Sequence, residues 1–280
     1  MPYRYIRLII TFALFTVNWG AHAAPVFESY ALESPSELLA KSKQWAMAHN
    51  LKWIRQVSLE QETGTPGLSG WVLYVCDIHY MAKVKELDET AGLGGPCKIA
   101  IMPFGTGSRV LMQHPQIRNQ SAPDTLALSF KMRNALGALA SNSVTEVDFG
   151  VPPPGSWIYR KKSSNQYPEL MLNLQNNLVA AGLALVRVQH MDLGLRSKGY
   201  PSLPYKILYV TGPINIDYNL NPELSLFVPI PILVYEDENG NGSLASGGTA
   251  IARGLVRDSK AALALADLDT RLAIALDNLD

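Results

Sequence analysis

The chain has 280 residues, two cysteines, 48% hydrophobic residues and 24 basic residues against 24 acidic. That balance excludes a protein whose main partner is nucleic acid or an anionic membrane, since both call for a basic excess. Two cysteines exclude a disulfide scaffold, and the apolar content is enough for a core that does not depend on one.

The chain opens MPYRYIR, continues with LIITFALFTVNWG and reaches AHAA. Two arginines, a short apolar run and the small-x-small pattern Ala21-His22-Ala23 are the layout of a secretory signal peptide. The run is too short to span a bilayer stably. Cleavage after Ala23 predicts a periplasmic or secreted chain that starts at Ala24. Losing Arg4 and Arg7 leaves 22 basic and 24 acidic residues. Nothing later reads as a membrane span.

Beyond that point the sequence is a repeat. "SPSELLAKSKQWAMAHNLKWIRQVSLEQE" from Ser34 is answered by "SNQYPELMLNLQNNLVAAGLALVRVQHMD" from Ser164. Each gives a helix and then a strand. Leu170, Leu174, Leu178 and Ala181 share one helical face. Pro168 fits the helix start, and Gly182 its end, where the first copy has Asn50. The strands "LKWIRQV" and "LALVRVQ" align Arg55 with Arg187. A Gly/Pro-rich loop follows, then "WVLYVCD" at 71–77 against "KILYVTG" at 206–212. A helical segment is expected next, "IHYMAKVKELDE" against "PINIDYNLNPEL". The strands "PCKIAIMPF" and "PIPILVYED" align Cys97 with Ile230. Glycine-rich turns and a short strand lead to a closing helix, with Asp124 and Asp258 as N-caps. In the second copy Leu265, Leu268, Leu272 and Leu279 form one stripe. "GVPPPGS" cannot sit inside a regular element and reads as a linker.

The expected architecture is therefore α+β: two tandem copies of a β-α-β-β-α-β-β(-α) unit. Residues 1–23 are the signal peptide, 24–149 the first copy, 150–156 the linker and 157–280 the second copy. Two copies of one unit most simply pack as a pseudo-dimer, with an internal interface replacing one between subunits. The alternative is two domains on a hinge.

The segments "YKILYVTGP" and "NPELSLFVPIPILVYEDENGNG" resemble the domain-of-unknown-function 302 family. Its pattern runs from a Lys-Tyr-apolar strand into a Cys-Asn-Pro turn. An acidic stretch and an apolar-Pro-Cys strand ending in Val-Tyr-Glu follow. Here Pro213, Pro229, Val234, Tyr235 and Glu236 match, while Thr211 and Ile230 stand where the family has cysteine. The first copy is more diverged, yet Cys76 and Cys97 fall on those two positions. The resemblance implies an α+β fold and tandem arrangement, and it implies no activity.

The candidate sites are few. Cys76 and Cys97 could form a disulfide or a thiol site if they are near each other. Parallel strands joined by a crossover would hold them about 20 Å apart, beyond the roughly 7 Å limit for a bridge. A mid-strand Cys97 would instead lie level with Cys76. A metal reading adds His79 and His114 to the thiols, but the set is sparse. "DENGNG" at 237–242 matches the first half of a calcium loop, but Gly248 stands at the twelfth position, and a hairpin turn explains it. Arg55 and Arg187, with His79, are candidates for one ligand cleft between the copies. No complete catalytic set appears, and no cofactor or metal is implied. The leading reading is an exported, non-catalytic module that binds a small molecule or a protein. The rival is a thiol-redox or metal-handling protein that uses Cys76 and Cys97.

Overall fold

The computed structural model of the chain describes residues 26–114, 125–147 and 158–279. The expected signal peptide, the 150–156 linker and the Asp124 cap lie outside them. The N-terminal half runs β1 (Val26–Ala31), α1 (Pro35–Ala48), β2 (Lys52–Ser58), α2 (Leu59–Thr63), β3 (Trp71–Cys76), α3 (Ile78–Leu87), a 3-10 turn (Glu89–Gly94), β4 (Cys97–Phe104), β5 (Gly107–Gln113), α4 (Thr125–Ala140) and β6 (Thr145–Val147). The C-terminal half runs β7 (Tyr159–Gln166), α5 (Tyr167–Ala180), β8 (Ala184–His190), α6 (Met191–Arg196), β9 (Tyr205–Thr211), a 3-10 turn (Pro222–Leu226), β10 (Ile230–Glu236), β11 (Asn241–Ser246), α7 (Ala250–Gly254) and α8 (Ser259–Asp277).

Each half forms one antiparallel sheet. The first is ordered β2-β3-β4-β5-β1-β6 and the second β8-β9-β10-β11-β7. Strand for strand the order is the same, with β6 added at one edge. Even an irregularity recurs: pairing slips between Trp53 and Arg55 in β2 and between Leu185 and Arg187 in β8.

The local sequence explains the helices. Ser34 accepts from the Glu37 amide and Glu37 answers to the Ser34 amide, which closes a capping box on α1. Asp258 accepts from the Ala261 amide and starts α8. The chain leaves α1 and α5 through left-handed residues at the expected places, Asn50 (φ 54°) and Gly182 (φ 72°). One expectation fails. The segment 213–221 forms no α-helix, whereas its counterpart is α3. Two prolines, Pro213 and Pro222, bracket it. Asp217 also draws the chain into local turns, accepting from the Asn219 and Asn221 amides.

The central strands of each sheet are buried on both faces, which is why β3 reads as an unbroken apolar run. On the outer face of the first sheet, Leu73, Val75, Ile99 and Met112 pack beneath Leu38 and Trp45 of α1 and Met132 and Leu136 of α4. On the second, Leu208, Ile232 and Val234 pack beneath Leu170 and Leu174 of α5 and Leu268 and Leu272 of α8. Burial of each such side chain contributes about 1.5–3 kcal/mol. The inner faces meet each other. Val72, Tyr74 and Ala100 share one cluster with Ile207, Tyr209 and Leu233.

Hydrogen bonds stitch the inner layer. The Gly92 amide donates to the Tyr205 hydroxyl (2.7 Å), which donates to the Glu89 carbonyl (2.5 Å). A Cβ on Gly92 would stand 2.6 Å from that hydroxyl and 2.8 Å from Leu233 Cδ1. Gly92→Ala is therefore expected to destabilise the chain by about 1–3 kcal/mol through overpacking. A lower urea midpoint with an unchanged slope would show it; an unchanged midpoint would mean that the halves are not closed here.

Candidate functional site

Arg187 leaves β8 on the inner face, opposite Tyr209 in register. Its guanidinium lies 4.0 Å from the Tyr74 ring centre and 3.8 Å from that of Tyr209. Those two tyrosines stand at matching positions of β3 and β9 and meet edge to face, 5.8 Å apart. Glu62 of α2 reaches into the same layer and pairs with Arg187 (3.4 Å) and with Lys98 of β4 (3.3 Å). It also accepts from the Tyr74 hydroxyl. The three charged side chains are at most 9% exposed. Burial opposes ionisation of Glu62. The charges of Lys98 and Arg187 and the Tyr74 hydrogen bond outweigh it and hold the carboxyl below its ordinary range. Burial, then the Glu62 charge, pushes the Tyr74 phenol well up.

Arg55 sits at the matching place in β2, opposite Tyr74. It is half-buried and makes no hydrogen bond or ion pair among the described residues. The reason is sequence-local. Seven residues beyond Arg55 stands Glu62; seven beyond Arg187 stands Gly194. The acid exists once, and Arg187 takes it.

A second ionic group lies alongside. Arg109 of β5 donates from Nε to Glu28 and from Nη2 to Glu223 (2.8 Å). Arg257 donates to the same Glu223 oxygen (2.5 Å). Arg109 also lines a cleft of about 370 Å³ between the halves. The loop after α2 supplies Thr65, Leu68 and Ser69. Met102 and Phe104 come from β4, and Tyr218, Asn219 and Pro222 from the other half. Tyr218 is 2% exposed and its hydroxyl has no hydrogen-bond partner among the described residues. Burial first, and then the Glu62 charge, raises its pKa.

The cysteine expectation is corrected. β3 and β4 are antiparallel neighbours, and Val75 pairs with Cys97. Cys97 begins its strand, as Ile230 does, so neither is mid-strand. The antiparallel pairing does bring the cysteines to neighbouring positions, but the pleat turns them to opposite faces. Cys76 points into the inner layer with Tyr74, and Cys97 into the outer layer with Ile99. They form no disulfide and both are buried. Burial, with lesser contributions from Cys97 and Asp77, pushes the Cys76 thiol well up.

His79 does not join them. Its Nδ1 bonds the Tyr200 hydroxyl across the halves (2.7 Å). His114 packs on the Phe27 ring, and burial lowers its pKa to about 4. Among the described residues no group of three or more His, Cys, Asp or Glu side chains could hold a metal ion. "DENGNG" is the turn between β10 and β11: Asp237 accepts from the Asn239 and Asn241 amides, and Gly240 has φ 83°. No helix among the described residues is long and apolar enough to cross a membrane.

Sequence reading missed Glu62, Lys98, Arg109, Tyr218 and Glu223. Lys98 carried a visible signal, a lone charge inside the apolar run "CKIAIM". Such a charge must find a buried partner.

Residues 159–279 match the family model described as Domain of unknown function DUF302. A solved structure titled "Crystal structure of uncharacterized conserved protein DUF302 from Bacillus stearothermophilus" is similar at 24% identity, with a TM-score of 0.39. The match covers 45% of this chain and 100% of that one. No curated protein matches the chain.

Glu62→Gln leaves Lys98 and Arg187 buried without their counter-charge. It is expected to cost about 3–5 kcal/mol in urea unfolding. Because the folded carboxyl titrates below its unfolded value, its contribution is whole above the unfolded pKa, about 4.3. It is lost as pH falls through the lower folded value. Wild type and Glu62→Gln should differ most above pH ~5 and converge on acidification. A gap that does not change with pH would mean that Glu62 is not ionised in the fold.

Proposed function

We propose that this chain, whose C-terminal half belongs to the Domain of unknown function DUF302 family, is an exported two-unit protein that binds a small ligand in the cleft between its halves. One observation carries the reading: a cavity of about 370 Å³ that both halves build, lined by Arg109 and Tyr218 among largely apolar side chains. The cavity is within the size range of small-molecule sites, and its walls mix Leu68, Met102 and Phe104 with a few polar groups, as such sites do.

Binding is favoured over catalysis at this cleft. Among the described residues no His, Asp, Glu, Lys or Cys lines it, so the side chains seen there include none of the usual proton carriers other than Tyr218. The two halves are inferred to be copies of one duplicated unit packed as a pseudo-dimer, a reading supported by their matching strand order. Export is inferred from the arginines, apolar run and Ala21-His22-Ala23 of the N-terminus. Intact-mass analysis of the protein produced in a secreting bacterial host should give a chain that begins at Ala24; a full-length cytoplasmic product would reject export.

A thermal-shift screen tests the cleft. Ligands should raise the melting temperature of the wild type. They should fail to do so for Ser69→Trp, which puts an indole into the cleft from an exposed loop position. Hits that ignore Ser69→Trp, or no hits at all, would reject the cleft as the site.

A further inference from the structure

A second opening between the halves runs along β2 and β8, the outermost strands of their sheets. We propose that it docks an extended acidic segment of a partner protein, which pairs with a strand edge and sets an acidic side chain beside Gly194. The site is separate from the cleft and does not rest on it.

Three observations point there. The first is a pair of free strand edges. A cavity of about 360 Å³ is lined by residues 52–54 of β2, residues 188–190 of β8 and Gly194 of α6. Successive strand side chains point to opposite faces. Three residues in a row line the cavity from each strand, so it borders the strand edge itself. Neither stretch makes a backbone hydrogen bond outside its own sheet among the described residues. One residue of extended chain fills about 3.3 Å by 4.8 Å by 10 Å, or roughly 160 Å³. The cavity thus holds about two such residues, and the rest of a segment lies along the open edge. The pairing slips in β2 and β8 break each edge into short runs. Short runs suit a short segment better than a long ladder with a second copy of the chain.

The second is a missing acid. Gly194 stands where the other half has Glu62. A Cβ on Gly194 would meet only Ile78 Cδ1, at 3.7 Å, an ordinary contact. There is room for a side chain beside it, and the chain supplies none. The third is charge. Lys52 and His190 line the cavity. Lys43 lies over the Trp53 ring (5.9 Å), and Arg55 follows on β2. Lys43, Lys52 and Arg55 make no hydrogen bond or ion pair among the described residues. The acids that flank the wall in sequence are already held. Asp77 pairs with Lys131 (2.6 Å), and Asp192 pairs with Arg196 (2.9 Å) and stands 4.0 Å from His190. Cations without acids select an acidic partner. Trp53, Ile78, Val188 and Met191 add apolar wall. A segment in which acidic and apolar residues alternate meets both needs, one on each face.

The probe is a fluorescein-labelled peptide, Thr-Glu-Val-Glu-Val-Glu-Thr, whose anisotropy is followed as the full chain is added. It is compared with a peptide that has Lys for every Glu and with one that has Pro for both Val. The Glu peptide is expected to bind about tenfold or more tighter than the Lys peptide, a few-fold from each of several exposed pairs. The Pro peptide should not bind, because proline has no N–H to give to a strand edge. Lys52→Glu should weaken the Glu peptide about tenfold, and Gly194→Glu, which supplies the missing acid from within, at least as much. Lys52 is exposed, so its replacement spares the fold. Ser69→Trp, which fills the cleft, should change nothing. Equal binding of the Glu and Lys peptides, binding of the Pro peptide, no binding of the Glu peptide, indifference to either substitution, or loss in Ser69→Trp would overturn the proposal. So would a dimer in sedimentation that Lys52→Glu abolishes, since a second copy would then hold the edge.

Discussion

The structure depends on one buried charge set. Two sheets can close on each other only if nothing polar is stranded between them, yet Glu62, Lys98 and Arg187 all sit in that layer. Desolvating three ions costs several kcal/mol each, and replacement by apolar residues of similar volume is often no worse. What the set provides is registry. Glu62 and Lys98 belong to one half and Arg187 to the other, and the guanidinium fits between two tyrosines, one from each sheet. A shift by one strand position would move Arg187 out of that slot and strand all three charges. The apolar contacts around them would tolerate such a shift far better, since they are not directional.

The same element ties this set to the cleft. Ser58 caps α2 by accepting from the Gln61 amide, and Gly64 (φ 70°) ends it after five residues. Glu62 points inward from the last turn. The chain then runs directly into Thr65–Ser69, a wall of the cleft. Leu59 donates to the Gly70 carbonyl and pins the far end of that loop. The loop is thus held at one end by Glu62, which also ties the halves together, and at the other by the Leu59–Gly70 hydrogen bond within its own half. A wall anchored in this way presents Ser69 and Leu68 at a fixed distance from Tyr218, which preorganises a site without any change of shape.

Much of the fold was legible in the sequence. Helix stripes such as Leu170/Leu174/Leu178 and Leu265/Leu268/Leu272 identify the outer layers, and the repeat identifies the matching sheets. The site was less legible, for reasons the cysteines make plain. Within "WVLYVC" the parity of Cys76 with Tyr74 can be read, and within "CKIAIM" that of Cys97 with Ile99. Which parity of one strand shares a face with which parity of the next depends on register, and register is set by long-range pairing. Only the pairing of Val75 with Cys97 shows that the thiols point apart. Glu62 was hidden for a related reason: an acid in a short helix looks solvated until the opposite half is brought over it. Arg187 was visible because Arg55 stands at the matching strand position, although Arg55 itself makes no ion pair among the described residues.

The two halves share their strand order and differ at the cleft. Registers place Gly70 of one half where Tyr205 stands in the other, Met102 where Tyr235 stands, and Arg109 where Ser243 stands. Tyr205 and Tyr235 fill their side of the interface; Tyr205 also bonds to Gly92 and Glu89, so that side is closed. At Gly70 nothing larger fits, because a Cβ would come within 2.3 Å of the Ile101 carbonyl oxygen. Without that aromatic side chain the opposite side stays open, and Arg109 turns it polar. An interface built from equivalent strands thus carries a plug of two tyrosines at one end and a cleft with an arginine at the other. The differences between the halves, rather than their likeness, leave the cleft at one end of the interface alone among the described residues.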